Sequence, residues 1–126
     1  MAPRSLAYVL GLCNLVAGAL LMSRPRLLLG DLAGTRTPAA QLLLGCLGLV
    51  LIAVGSGAMR MPSNALPTYL WIFGVAVKAL AALLWSLTAL ETGTGALWMG
   101  AGGDAAIALV IAVGLLRAVP EPDGGR

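Results

Sequence analysis

Hydrophobic positions in this chain gather into four long runs, at about residues 5–22, 39–59, 67–90 and 96–118. A helix rises 1.5 Å per residue, so about 20 mainly apolar residues suffice to cross the hydrocarbon of a bilayer. Peptide groups in lipid must find partners within their own segment, which makes helix the reading for such runs. The alternating pattern of a membrane β-barrel is missing. The pattern predicts an all-α fold, an integral membrane four-helix bundle that forms one domain over residues 1–119. Residues 120–126, polar and rich in Pro and Gly, are expected to be disordered.

The polar gaps between the runs set the topology. Only the first connection, 23–38, is long. Pro25 stops the first helix, and Leu27, Leu28 and Leu29 followed by Gly30 and Asp31 predict a short amphipathic turn lying in the interface. The connections at 60–66 and 91–95 are brief, which forces antiparallel neighbours and an up-down-up-down bundle. Ala17-Gly18-Ala19 offers a signal-peptide cleavage site, but the apolar run before it is long for a signal core. Trp71, Trp98 and Tyr69 stand near run ends, where aromatic belts form.

Composition strengthens this picture. Of 126 residues 60% are hydrophobic and 10% charged, against about 25% charged in soluble domains. The net charge is +3, from eight basic and five acidic residues. The basic residues mostly flank apolar runs, as topology and headgroup anchors do, and no basic patch with interleaved aromatics points to nucleic acid. The expected partners are the lipid bilayer and a second copy or another membrane protein. Arg4, Arg60, Arg117 and Arg126 on the side of the termini face Arg24, Arg26 and Arg36 on the other. This slight excess leans towards cytoplasmic termini in a multi-pass protein of the cell membrane, of the bacterial inner-membrane kind.

Candidate chemistry is sparse. Histidine is absent, which removes the commonest general base and metal ligand. Cys13 and Cys46 form neither CxxC nor a zinc spacing. No catalytic, metal-binding or cofactor-binding residue is expected. The informative residue is Lys78, in the middle of the third run. A lysine at a bilayer centre costs from about 3 to over 10 kcal/mol, so it calls for a partner or a water-filled cavity. Asp104, in the fourth run, is the natural partner. A turn centred near Gly93 sets Asp104 opposite Ala82, one helical turn from Lys78. Asn14, central in the first run, is expected to hydrogen-bond a neighbouring helix, and Gln41 opens the second run as a further polar candidate. Ser56, Ser86 and Thr88 are expected to bond their own helix backbone. Cys13 and Cys46 fall at matching depth if the first connection centres near Gly30, which invites a redox reading, although small apolar filler is the plainer role. Four-spaced small residues, Ala7/Gly11, Ala53/Gly57, Gly74/Lys78/Ala82 and Gly100/Asp104/Ala108, predict packing faces that carry both charges.

Four compact crossings, a lysine inside the third and Gly103-Asp104 inside the fourth resemble the DoxX-like group of small bacterial membrane proteins. The resemblance is one of layout and covers most of the chain. It implies association with redox partners such as quinone-linked oxidoreductases. With no histidine and no cofactor motif, no active site carries over. The residues themselves favour a structural or accessory subunit of a membrane complex. The alternatives are a small oligomeric transporter or channel built on Lys78 and Asp104, and a redox-linked DoxX-like subunit.

Overall fold

The computed structural model describes residues 2–35 and 37–118, and these are helical almost throughout. The expected disordered tail lies outside the described residues. Helix α1 is Pro3–Ser23, with Pro3 in the first turn, where its missing N–H costs nothing. A single turn, α2 (Arg26–Leu29), and a 3-10 segment (Gly30–Thr35) fill the first connection. Helix α3 is Pro38–Arg60; the Thr37 side chain accepts a hydrogen bond from the Ala40 N–H at 3.2 Å and caps it. Helix α4 (Leu66–Tyr69) runs through a π-helical stretch (Leu70–Ala76) into α5 (Val77–Thr92). Gly93, at φ 68°, closes α5 in the left-handed conformation that glycine adopts without strain. Helix α6 is Ala96–Arg117. Pro3–Ser23, Pro38–Arg60, Leu66–Thr92 and Ala96–Arg117 are each long and apolar enough to cross a membrane.

The third of these helices departs from the expected plain α-helix. Its buried positions Leu70, Gly74, Lys78 and Ala82 follow one another by four. On an α-helix of 3.6 residues per turn each such step overshoots by about 40°. The wider π turn undershoots, so Leu70, Gly74 and Lys78 stay on one side of the rod. The Val77 N–H accordingly reaches back five residues to the Ile72 carbonyl.

Helix α1 is the most buried of the four long helices and lies between α3 and the second hairpin. Against α3 it presents Gly11 and Gly18. A Cβ on Gly55 would fall 2.7 Å from the Gly11 carbonyl oxygen, and one on Gly18 would fall 2.5 Å from that of Gly48. Residue numbers rise on α1 as they fall on α3. The α3 stripe in use is therefore Gly48/Gly55, spaced by seven, and not the four-spaced Ala53/Gly57. Ala53 is exposed and Gly57 faces the Tyr69 hydroxyl. Seven residues are close to two helical turns, so such a pair stays on one seam where a pair spaced by four drifts off it.

Against the second hairpin α1 presents Leu6 and Leu10. Leu6 packs onto Gly114, and Leu10 meets Ile111 over Gly74. With Ala7, Ala58, Leu66 and Leu70 they form the apolar core, which sits towards the Arg4 end of the molecule. At that end the Arg4 guanidinium donates to the carbonyls of Met59 (3.3 Å) and Met61 (2.9 Å) and to the Ser63 hydroxyl (3.3 Å). A cation there complements the negative end of α3. Tyr69 is such a tie as well, not simply a belt residue: its hydroxyl donates to the Val54 carbonyl at 2.8 Å, and its ring stacks on Phe73 at 4.6 Å. At the opposite end the first connection rests on the start of α6, with Gly30 (φ 56°) against Ala96 and Thr94.

Candidate functional site

The seam between α5 and α6 holds the buried Lys78 and the largely buried Asp104. Two contacts fix its register. Gly74 receives the Ile111 side chain, and Gly100 receives the Trp85 ring at 3.1–3.3 Å from where a Cβ would stand. These set Asp104 level with Ala81, one residue from the expected Ala82. Three residues separate that level from Lys78, an axial gap of about 4.5 Å. The lysine stem closes it: Lys78 Nζ donates to Asp104 Oδ1 at 2.7 Å. The two side chains are 7% and 16% exposed, so both are largely withdrawn from the surface. A charge-assisted bond of this length is of the stronger kind. Along the seam the pair is bracketed by the Gly74–Ile111 packing on one side and by Trp85 over Gly100 on the other.

Asn14 does not do what its position predicts. It is 1% exposed, and its Oδ1 has no hydrogen-bond partner. Its neighbours across the α1–α3 seam explain this. Gly55 lies opposite its Cβ, Ile52 and Met59 fill the seam on either side of that level, and none of the three offers a side-chain donor. A buried unsatisfied acceptor costs about 1–3 kcal/mol, while an apolar group of like shape removes that cost. Leucine branches at Cγ as asparagine does. Asn14→Leu is therefore expected to raise the denaturation midpoint in detergent, and a fall would reveal a working partner for Oδ1.

Gln41 is exposed and belongs to no helix-packing seam. It lines an open cleft with Leu21, Met22, Ser23, Pro25 and Gly45. A second cleft lies between α5 and α6, lined by Ala82, Leu83, Ser86, Trp98, Ala101, Gly102 and Ala105. Neither is lined by Lys78, Asp104 or Asn14. Ser86 and Thr88 donate to the carbonyls four residues back at 2.8 and 2.9 Å; Ser56 makes no such bond. Structure and sequence part over the cysteines. Both are free thiols. The glycine contacts place Cys13 opposite Ala53, and Cys46 lies seven residues further along α3, about 10 Å away in depth. The expected match fails because the α1–α3 register centres near Ala33, not near Gly30.

Among the described residues no three His, Cys, Asp or Glu side chains gather as a metal site would require. Sequence reasoning missed the Arg4 tie, since nothing in the N-terminal segment marks which carbonyls a lone arginine will reach. Compared with known proteins, the chain matches no family model, no curated protein and no solved structure.

Proposed function

We propose that the chain is a multi-pass membrane protein whose four helices cross in alternating directions, and that it serves as a structural or accessory subunit within a membrane. The exposed faces support insertion. Leu42, Leu43, Leu49, Leu84, Leu90, Met99 and Leu109 are all more than half exposed, and a chain this apolar on the outside needs lipid around it. The observation that carries the accessory reading is the Lys78–Asp104 pair. A charge inside a membrane helix marks an ion or proton route when it faces a watery cavity. Here the ammonium is answered at 2.7 Å across a glycine-lined seam, and neither cleft is lined by it. The pair thus fits a fastening between α5 and α6. A redox-linked, DoxX-like role gains no support from thiols at different depths.

Reconstitution tests this reading. In vesicles under an imposed potassium diffusion potential, with a pH-sensitive dye inside, the protein should conduct no more protons or cations than protein-free vesicles. Flux that Lys78→Met abolishes would overturn the accessory reading in favour of a transporter.

A further inference from the structure

Beyond the Gly18–Gly48 contact a cleft opens between the end of α1 and the start of α3. Met22 still lies over Gly48, but a Cβ on Gly45 would meet nothing within 4 Å. The cleft is lined by Leu21, Met22, Ser23, Pro25, Gln41 and Gly45. Its walls are graded. Met22 and Gly45, over the buried Leu21, supply an apolar floor on the side of the helix middles, and Ser23 and Gln41 form a polar rim on the side of the first connection.

Arg24 and Arg26 adjoin this rim in the chain, on either side of the lining residue Pro25, and do not themselves line the cleft. Both are exposed, and among the described residues neither has a carboxylate within 4.0 Å. Arg26 extends towards Gly34, its Nη2 being 3.7 Å from where a Cβ would stand there. The Ser23 hydroxyl donates back to the Ala19 carbonyl at 2.7 Å, which leaves Gln41 as the free side-chain donor among the lining residues, with the two guanidinia beside it in reach of an anion at the rim. The acidic groups at this end are Asp31 on the 3-10 segment and Glu91 before the α5–α6 turn, both exposed. The positive end of α3 and the negative end of α1 meet at this rim and offset each other, so attraction for an anion rests on the arginines.

We propose that this cleft seats an anionic phospholipid, with its phosphate at Arg24, Arg26 and Gln41 and an acyl chain along Met22 and Gly45. The charge complements the two unpaired guanidinia, and the apolar floor directly below the rim selects a lipid over free phosphate. Basic pockets between membrane helices hold anionic headgroups in this way. The proposal rests on the membrane reading given above.

Native mass spectrometry from a neutral detergent, with phosphatidylglycerol or phosphatidylcholine added in equal amount, tests it. Each arginine near an anionic headgroup contributes about fivefold in affinity, so the anionic lipid should be held about 30-fold more tightly. Arg24→Gln with Arg26→Gln should abolish that preference, and circular dichroism should show the fold unchanged, since both residues are exposed. Gly45→Leu, placed in open space, should fill the floor and release the lipid while both arginines remain. Equal retention of the two lipids overturns the proposal. So does an anion preference that inorganic phosphate competes away and Gly45→Leu leaves intact, for that describes a free-phosphate site. Loss of the chain from carbonate-washed membranes would instead defeat the membrane reading itself.

Discussion

Replacing Asp104 alone by leucine should destabilise the protein by about 3–5 kcal/mol, the loss that follows when one partner of a buried ion pair is removed. Lys78→Met alone should cost somewhat less. The asymmetry follows from burial: Asp104→Leu strands an ammonium 7% exposed, whereas Lys78→Met strands a carboxylate 16% exposed and nearer the surface. The double variant should recover most of either loss, because two apolar groups across the Gly74–Ile111 seam leave no charge unanswered, and replacement of a whole buried pair is often neutral or better. Denaturation midpoints of wild type, both singles and the double in one detergent close the cycle. Single losses that simply add in the double would show that Lys78 and Asp104 do not stabilise one another. A double variant as stable as wild type, still inserted and still in its native assembly, would place the pair among fold-specifying features and not among functional ones.

How much of this was legible in the sequence depends on the range of the signal. Helix existence was, because four apolar runs of membrane length leave the backbone one way to satisfy itself. The exact starts, at Pro3 and at Pro38 behind the Thr37 cap, come from the structure, while the turn near Gly93 stands where the spacing put it. Asp104 was identifiable as the partner of Lys78, because the brief turn near Gly93 fixes the register of the α5–α6 hairpin to within one residue. The α1–α3 pairing was not. The connection between Ser23 and Pro38 contains a helical turn and a 3-10 segment, and these shift the centre of the hairpin from Gly30 to Ala33. A shift of three at the centre displaces every cross-helix pair by about twice that, enough to separate Cys13 from Cys46 and to bring Gly55 opposite Gly11. The π turn before Lys78 likewise leaves no local mark beyond the strict four-residue spacing of buried positions. Asn14 was recognisable as buried and polar, but what faces it depends on that long-range register.

The close approach of α1 and α3 makes the remaining large prediction. Gly18→Ala and Gly55→Ala should each cost about 1–3 kcal/mol or more, the range for overpacking a tight contact. Their new methyls would stand 2.5 Å from the Gly48 carbonyl oxygen and 2.7 Å from that of Gly11. Backbone oxygens cannot rotate away, so the helices must part along the seam. Gly48→Ala should cost less, because its nearest obstacle is the Met22 Cγ at 2.5 Å, which can swing aside, and the Gly18 oxygen stands further off at 2.9 Å. Gly45→Ala and Gly102→Ala, with nothing within 4 Å, should leave stability unchanged and serve as controls. The loss should also be local. Near Arg60, α3 is held by Arg4 and Tyr69, whereas towards Gln41 its last glycine contact with α1 is at Gly48. Hydrogen exchange in Gly18→Ala should therefore rise in the first half of α3 and stay low around Val54. Uniform exchange along α3, or controls as damaged as Gly18→Ala, would mean that something other than glycine contact holds these helices together, since on the membrane reading proposed above the exposed leucines would give α3 no preference for α1 over lipid.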